Sequence, residues 1–151
     1  ANTNSAAAAA ASVNKATTAA HPHAKSNTTS SSSSSTAVWK PVPLRSLSSR
    51  VLGGAHRRVV QVSAGYFYVA ALTATGEVFT WGGNDYGELG QGDLKQRKTP
   101  TPIGVFGGDT GLRVVAISAG NFHAAAVDES GRAFSWGWNE YGSVGVRGGD
   151  E

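Results

Sequence analysis

One stretch of this chain is written twice, and a repeat of that kind leaves few folds open. Residues 59–92 read VVQVSAGYFYVAALTATGEVFTWGGNDYGELGQG, and residues 114–147, displaced by 55 positions, read VVAISAGNFHAAAVDESGRAFSWGWNEYGSVGVR with no gap. Gly65 meets Gly120, Phe67 meets Phe122, Phe79 meets Phe134, and Trp81-Gly82 meets Trp136-Gly137. Asn84, Gly87 and Gly90 meet Asn139, Gly142 and Gly145. A unit of this length cannot bury its own faces and has to stack on its neighbours.

Each copy reads as short strands separated by glycine turns. The spacing predicts strands at 59–64, 67–73 and 77–81, a compact loop at 82–92, and an edge strand near 100–103, where Pro100 and Pro102 suit an edge. The second copy predicts strands at 114–119, 122–128 and 132–136, with a hairpin turn at Asp128-Glu129-Ser130-Gly131. The strands are apolar on both faces, as in a sheet packed between two others. Four-stranded units repeated about an axis make a β-propeller, and one Phe and one Trp per unit are the side chains to fill the gap between blades. The expected fold is therefore all-β: a partial propeller of about two four-stranded blades after a disordered N-terminal segment.

Composition divides the chain. Residues 1–58 hold seven Lys or Arg and no acid, whereas residues 59–151 hold six basic and ten acidic residues. The net charge of +3 thus belongs to the head, and the repeat region is mildly acidic. Residues 1–38, rich in Ala, Ser, Thr and Asn, bury too little apolar area to offset their chain entropy and read as disordered. They suit a linker, or an organelle-targeting segment apart from the absence of Arg before Arg45. Residues 39–58 read as an isolated edge strand (WKPVPL) and a loop, 59–113 as a complete repeat, and 114–151 as a second, truncated one. The chain contains no Cys, which excludes disulfides, thiolate metal sites and a Cys nucleophile within it, and suits a reducing compartment, cytoplasmic or nuclear. No apolar run reaches the ~18 residues of a membrane span.

The order VxxVSAGxFxxxAxxxxGxxFxWGxNxYGxxG, with Ile117 for the second Val in the second copy, resembles the regulator of chromosome condensation repeat family, twice and in register. The resemblance implies a seven-bladed propeller, of which this chain would supply about two blades. It also implies that one blade is closed by strands from both chain ends. On that reading Pro41–Leu44 is the closing strand, the N-terminal side is nearly complete, and about five further blades follow residue 151. The family's inner-strand His is present as His123 and replaced by Tyr68 in the first copy.

No motif here asks for a cofactor or a metal, and no catalytic constellation is legible. Phe79, Trp81, Phe134 and Trp136 read as core. Gly65, Gly82, Gly87, Gly90, Gly120, Gly137, Gly142 and Gly145 read as turn or close-approach positions, Asn84 and Asn139 as loop-closing hydrogen bonders, and His123 as a packed, hydrogen-bonded core histidine. Gly82-Gly83 and Gly107-Gly108 precede no helix with Lys-Ser/Thr, so they are not phosphate loops. Propeller function resides in rim loops. Partner contacts are therefore expected from Asp85, Tyr86, Glu88, Asp93, Lys95, Arg97 and Lys98, and from Trp138, which stands where the first copy has Gly83. The resemblance implies protein binding, with guanine-nucleotide exchange on a small GTPase as the family's best-known activity. The alternatives are a propeller adaptor within a larger enzyme, such as a ubiquitin ligase or kinase, and a chromatin-binding module resting on the basic head.

Overall fold

A computed structural model describes residues 40–48 and 58–146. The head 1–38, Trp39, Gly53-Gly54 and residues 147–151 lie outside the described residues. Among those described, seven strands form two antiparallel sheets. Sheet one runs β1 (Val59–Ala64), β2 (Tyr68–Thr73), β3 (Val78–Gly82), β4 (Arg97–Pro102); sheet two runs β5 (Val114–Ala119), β6 (His123–Asp128), β7 (Ala133–Gly137). Each sheet is a meander in sequence order, the blade unit of a propeller. Among the described residues, two single 3-10 turns, Arg45–Leu47 and Gly108–Thr110, accompany the strands.

The outer strands β1 and β5 keep the expected bounds, but the inner strands start one residue late. Gly65 N–H already donates to Tyr68 O at 2.8 Å, and Gly120 N–H to His123 O at 2.8 Å. The intervening pairs, Tyr66-Phe67 and Asn121-Phe122, are therefore hairpin tips rather than strand residues. β3 and β7 are shifted by one residue at both ends, starting at Val78 and Ala133 and running through Gly82 and Gly137, both at positive φ. A Cβ on Gly82 would lie 2.3 Å from Phe67 O, and one on Gly137 2.4 Å from Phe122 O, so no side chain fits at either position. The other hairpin ends turn at Gly76 (φ 83°) and Gly131 (φ 84°), whose amides close on Thr73 O and Asp128 O. Both copies carry a bulge early in their first strand, at Val59/Gln61 and at Val114/Ala116. β4 begins at Arg97 and slips register opposite Thr80/Gly82.

The main core lies between the blades. Ala70, Leu72 and Val78 face Val114, Ile117 and Ala126, with Ile103 and Phe106 filling the base. Phe134 and Trp136 pack on this cluster, and Phe106 meets both rings, edge-on to Phe134 at 5.3 Å. Side chains also stitch strand to strand. Gln61 donates to Ile117 O at 2.7 Å and accepts from Ile117 N–H at 3.1 Å, while Ser63 Oγ accepts from Ala119 N–H at 2.9 Å. Trp136 Nε1 donates to Glu88 O at 2.8 Å, tying the second blade to the first blade's loop.

Phe79 and Trp81, at the same repeat positions as Phe134 and Trp136, point to the opposite side of their sheet and meet Leu47, Ala71 and Val59. Trp81, Phe134 and Trp136 are half-buried rather than fully enclosed, each packed against its cluster without being covered all round. Residues 41–44 form no strand. Pro41 and Pro43 have no N–H to give a ladder, and the segment leads into the turn that seats Leu47 on the first blade.

Candidate partner-binding surface

Because the inner strands start late, two aromatic-bearing tips stand side by side at one end of the blades. Tyr66 lies edge-on to Phe67 with centroids 4.4 Å apart and tilted against Phe122 at 5.7 Å. Phe122 meets Tyr86 at 5.5 Å and Trp138 at 5.9 Å, and Trp138 meets Tyr141 at 5.2 Å. The tips themselves are joined by Tyr66 N–H donating to Asn121 O at 3.1 Å. The result is a continuous aromatic strip across both blades. Phe67 is 68% exposed and Tyr141 78% exposed, so its two ends are open to solvent. Such edge-to-face contacts hold the rings in place, while an exposed apolar surface of this kind marks an interaction site.

The loop that supplies Tyr86 is held from inside. Asn84 is fully buried; its amide donates to Asp93 O (2.7 Å) and Lys95 O (3.1 Å), and its oxygen accepts from Leu89 N–H (3.0 Å). Asn139 repeats the scheme with Val146 O (2.8 Å) and Val144 N–H (3.0 Å). Thr80 Oγ1 donates to Leu89 O at 2.8 Å, and Ser135 Oγ donates to Val144 O at the equivalent place. Gly90 sits at φ 62° with the Trp136 ring 3.0 Å from where its Cβ would be. Gly87, Gly142 and Gly145 also take positive φ.

Beneath the tips, Tyr68 is buried and its hydroxyl donates to Gly120 O at 3.2 Å and to His123 O. Burial, then the nearby Glu88 carboxylate, push its pKa well up. The Tyr68 ring covers Gly65, and the His123 ring covers Gly120 in the same way; His123 itself is half-buried. His123 thus takes the place Tyr68 has in the first copy, and its backbone oxygen accepts from Gly120 N–H and from the Tyr68 hydroxyl.

The charged residues of the loop separate into two kinds. Glu88 is buried and accepts from Tyr86 N–H at 2.8 Å, so it shapes the loop from within. Asp93 and Arg97 pair at 2.9 Å. The Arg97 hydrogen bond, with Lys95 N–H beside it, holds the Asp93 carboxyl below its usual range. Asp85, Tyr86, Lys95 and Lys98 are exposed, and Trp138 is half-buried within the aromatic strip. An open depression lined by Phe67, Gly82, Gly83, Gln96, Arg97 and Lys98 joins the strip at Phe67. The residues sequence reasoning missed are Tyr66, Phe67, Phe122 and Tyr141. The signal available was the aromatic Tyr66-Phe67 pair directly after a strand-ending glycine. Among the described residues no cluster of His, Cys, Asp or Glu could hold a metal ion, and no helix is long and apolar enough to cross a membrane.

Two stacked meander blades with tip and rim loops on one end define a propeller-repeat protein. The profile of the regulator of chromosome condensation (RCC1) repeat matches residues 75–127, and a second profile of the same repeat matches 59–88 and 114–143. The chain belongs to this family. It is similar to the ultraviolet-B receptor UVR8 of Arabidopsis thaliana, 35% identical over 109 residues, covering 72% of this chain and 22% of that protein. It is 40% identical over 113 residues to the human E3 ubiquitin-protein ligase HERC2, covering 74% of this chain but 2% of the ligase. Among solved structures, human WBSCR16 matches with TM-score 0.51 and 34% identity over 56% of this chain and 21% of that one. Prp20p of Saccharomyces cerevisiae, described with its binding properties to Gsp1p and histones, matches with TM-score 0.51 and 31% identity over 60% of this chain and 21% of that one. The chain therefore spans about a fifth of UVR8's length and far less of HERC2's.

Proposed function

We propose that this chain is part of a protein-binding propeller whose activity is nucleotide exchange on a small GTPase. The observation that carries the binding reading is the exposed aromatic strip from Phe67 to Tyr141, built jointly by two blades on hydrogen-bonded loops. A rigid aromatic surface loses little entropy on binding and supplies most of an interface's energy from few residues. The likeness to Prp20p, with its binding to Gsp1p, supports a small GTPase as the partner. An exchange factor acts by binding and distorting the nucleotide site, so it requires no cofactor of its own. The test is release of fluorescent GDP from a Ran-class GTPase in the presence of the protein. The reading predicts release accelerated by well over tenfold; binding with release at the intrinsic rate would refute exchange.

The second reading is a propeller adaptor within a larger enzyme, favoured by the 40% identity to HERC2. It predicts partner binding without any effect on nucleotide release. Chromatin binding rests on the basic head and on the histone binding of Prp20p. It predicts that histone affinity is lost when residues 1–58 are removed.

A further inference from the structure

We propose that the depression between Phe67 and the Arg97-Lys98 pair anchors an extended acidic segment of the protein partner, with an adjacent apolar side chain lying on the aromatic strip. This inference rests on the protein-binding reading above and adds the chemistry of what is bound. Its lining combines an exposed ring, two backbone glycines, a glutamine and two cations, with no carboxylate among them. The two cations differ. Arg97 is already paired to Asp93 at 2.9 Å and donates to Lys95 O at 2.6 Å, so its head is fixed. Lys98 is exposed and makes no ion pair among the described residues. Asp93 compensates the Arg97 charge, so the free Lys98 ammonium is the positive charge open to a carboxylate.

The floor is open because glycine is required at Gly82, where a Cβ would strike the Phe67 backbone, and Gly83 adds no side chain. Phe67 belongs to both features, so a chain leaving the depression runs directly onto Tyr66 and Phe122. The far end of the strip carries the opposite charge. Glu140 precedes Tyr141 in sequence and is exposed, while Asp85, also exposed, precedes Tyr86 in the middle of the strip. The surface is therefore polarised, cationic at Phe67 and anionic toward Tyr141, which sets the direction of a bound segment. The same polarity disfavours a nucleic acid, whose phosphates would meet Asp85 and Glu140 and a repeat region that is net acidic.

The experiment is fluorescence anisotropy with the whole chain and three labelled probes. They are a peptide with paired glutamates beside a Leu-Phe pair, the same peptide with lysines replacing the glutamates, and oligo-dT. The glutamate peptide is expected to bind at least about tenfold more tightly than the lysine peptide at low salt, with the advantage shrinking as salt rises. Lys98→Glu and Phe67→Ser are each expected to weaken it about tenfold, with unchanged melting because both side chains are exposed. Lys98→Glu is expected to bind the lysine peptide better than the unaltered chain does. Equal affinity for the two peptides, or variants that bind as the unaltered chain does, would overturn the acidic anchor while leaving protein binding in place. Binding of neither peptide, or of oligo-dT alone, would overturn both readings.

Discussion

Trp136 shows how one repeat residue holds two blades. Its ring packs on the inter-blade core and over Gly90, and its indole N–H donates to Glu88 O. Trp136→Ala therefore removes packing and leaves a carbonyl without its donor, for a loss of about 3 kcal/mol in chemical denaturation. Gly90→Ala attacks the same contact from the other side. It places a Cβ 3.0 Å from the ring at a φ of 62°, so a loss of about 1–3 kcal/mol is expected. Asp128 governs the acid limb. Burial raises its pKa, but hydrogen bonds from the Ser130 hydroxyl, the Arg132 amide and the Arg132 guanidinium outweigh that and hold it at about 2. Its folded value is thus depressed, and the stability it brings is present above the unfolded value of about 3.9 and lost as pH falls toward about 2. The melting difference between the unaltered chain and Asp128→Asn should be constant above that window and shrink within it. A difference independent of pH would exclude the ionised carboxylate as the cause.

At the scale of elements, the strands were legible because glycines bracket apolar runs in both copies. The bounds of β1 and β5 follow from the repeat alone. The inner strands were read one residue too long. Phe67 and Phe122 look like strand residues in sequence, and only the Gly65–Tyr68 and Gly120–His123 hydrogen bonds place them in the tips. That one-residue difference hid the aromatic strip, whose rings lie far apart in sequence: Tyr66, Tyr86, Phe122 and Trp138 meet only once two blades stack. Sequence likewise could not distinguish Glu88, buried under its own loop, from its exposed neighbours Asp85 and Tyr86. The loop depends on Asn84 as a unit. Asn84→Ala leaves Leu89 N–H and the Asp93 carbonyl without partners and removes one of the two donors to Lys95 O, and a loss of about 2–3 kcal/mol is expected. Peptide binding at Phe67 and Lys98 should fall with it, because the same asparagine fixes the backbone at Asp93 and Lys95. Denaturation unchanged from the unaltered chain would remove Asn84 from that role.

At the scale of the molecule, the two sheets are unequal. In the first blade Ala70, Leu72 and Val78 are buried against the second, whereas in the second blade the facing-out positions Ala125, Val127 and Ala133 are exposed. A free blade face of this kind is where another blade stacks. The chain on its own is therefore expected to associate, with a melting transition that depends on concentration; a sharp, concentration-independent transition of the monomer would contradict this. The central claim is that the two repeats stack as adjacent blades and thereby assemble one partner surface. The most direct test is the nuclear Overhauser effect from the Trp136 indole N–H in tryptophan-labelled protein. Stacked blades place that proton against Glu88 and Gly90, and strong cross-peaks to both residues' α-protons are predicted. An indole proton that shows cross-peaks only within its own repeat, residues 114–146, would contradict the stacking and with it the shared surface.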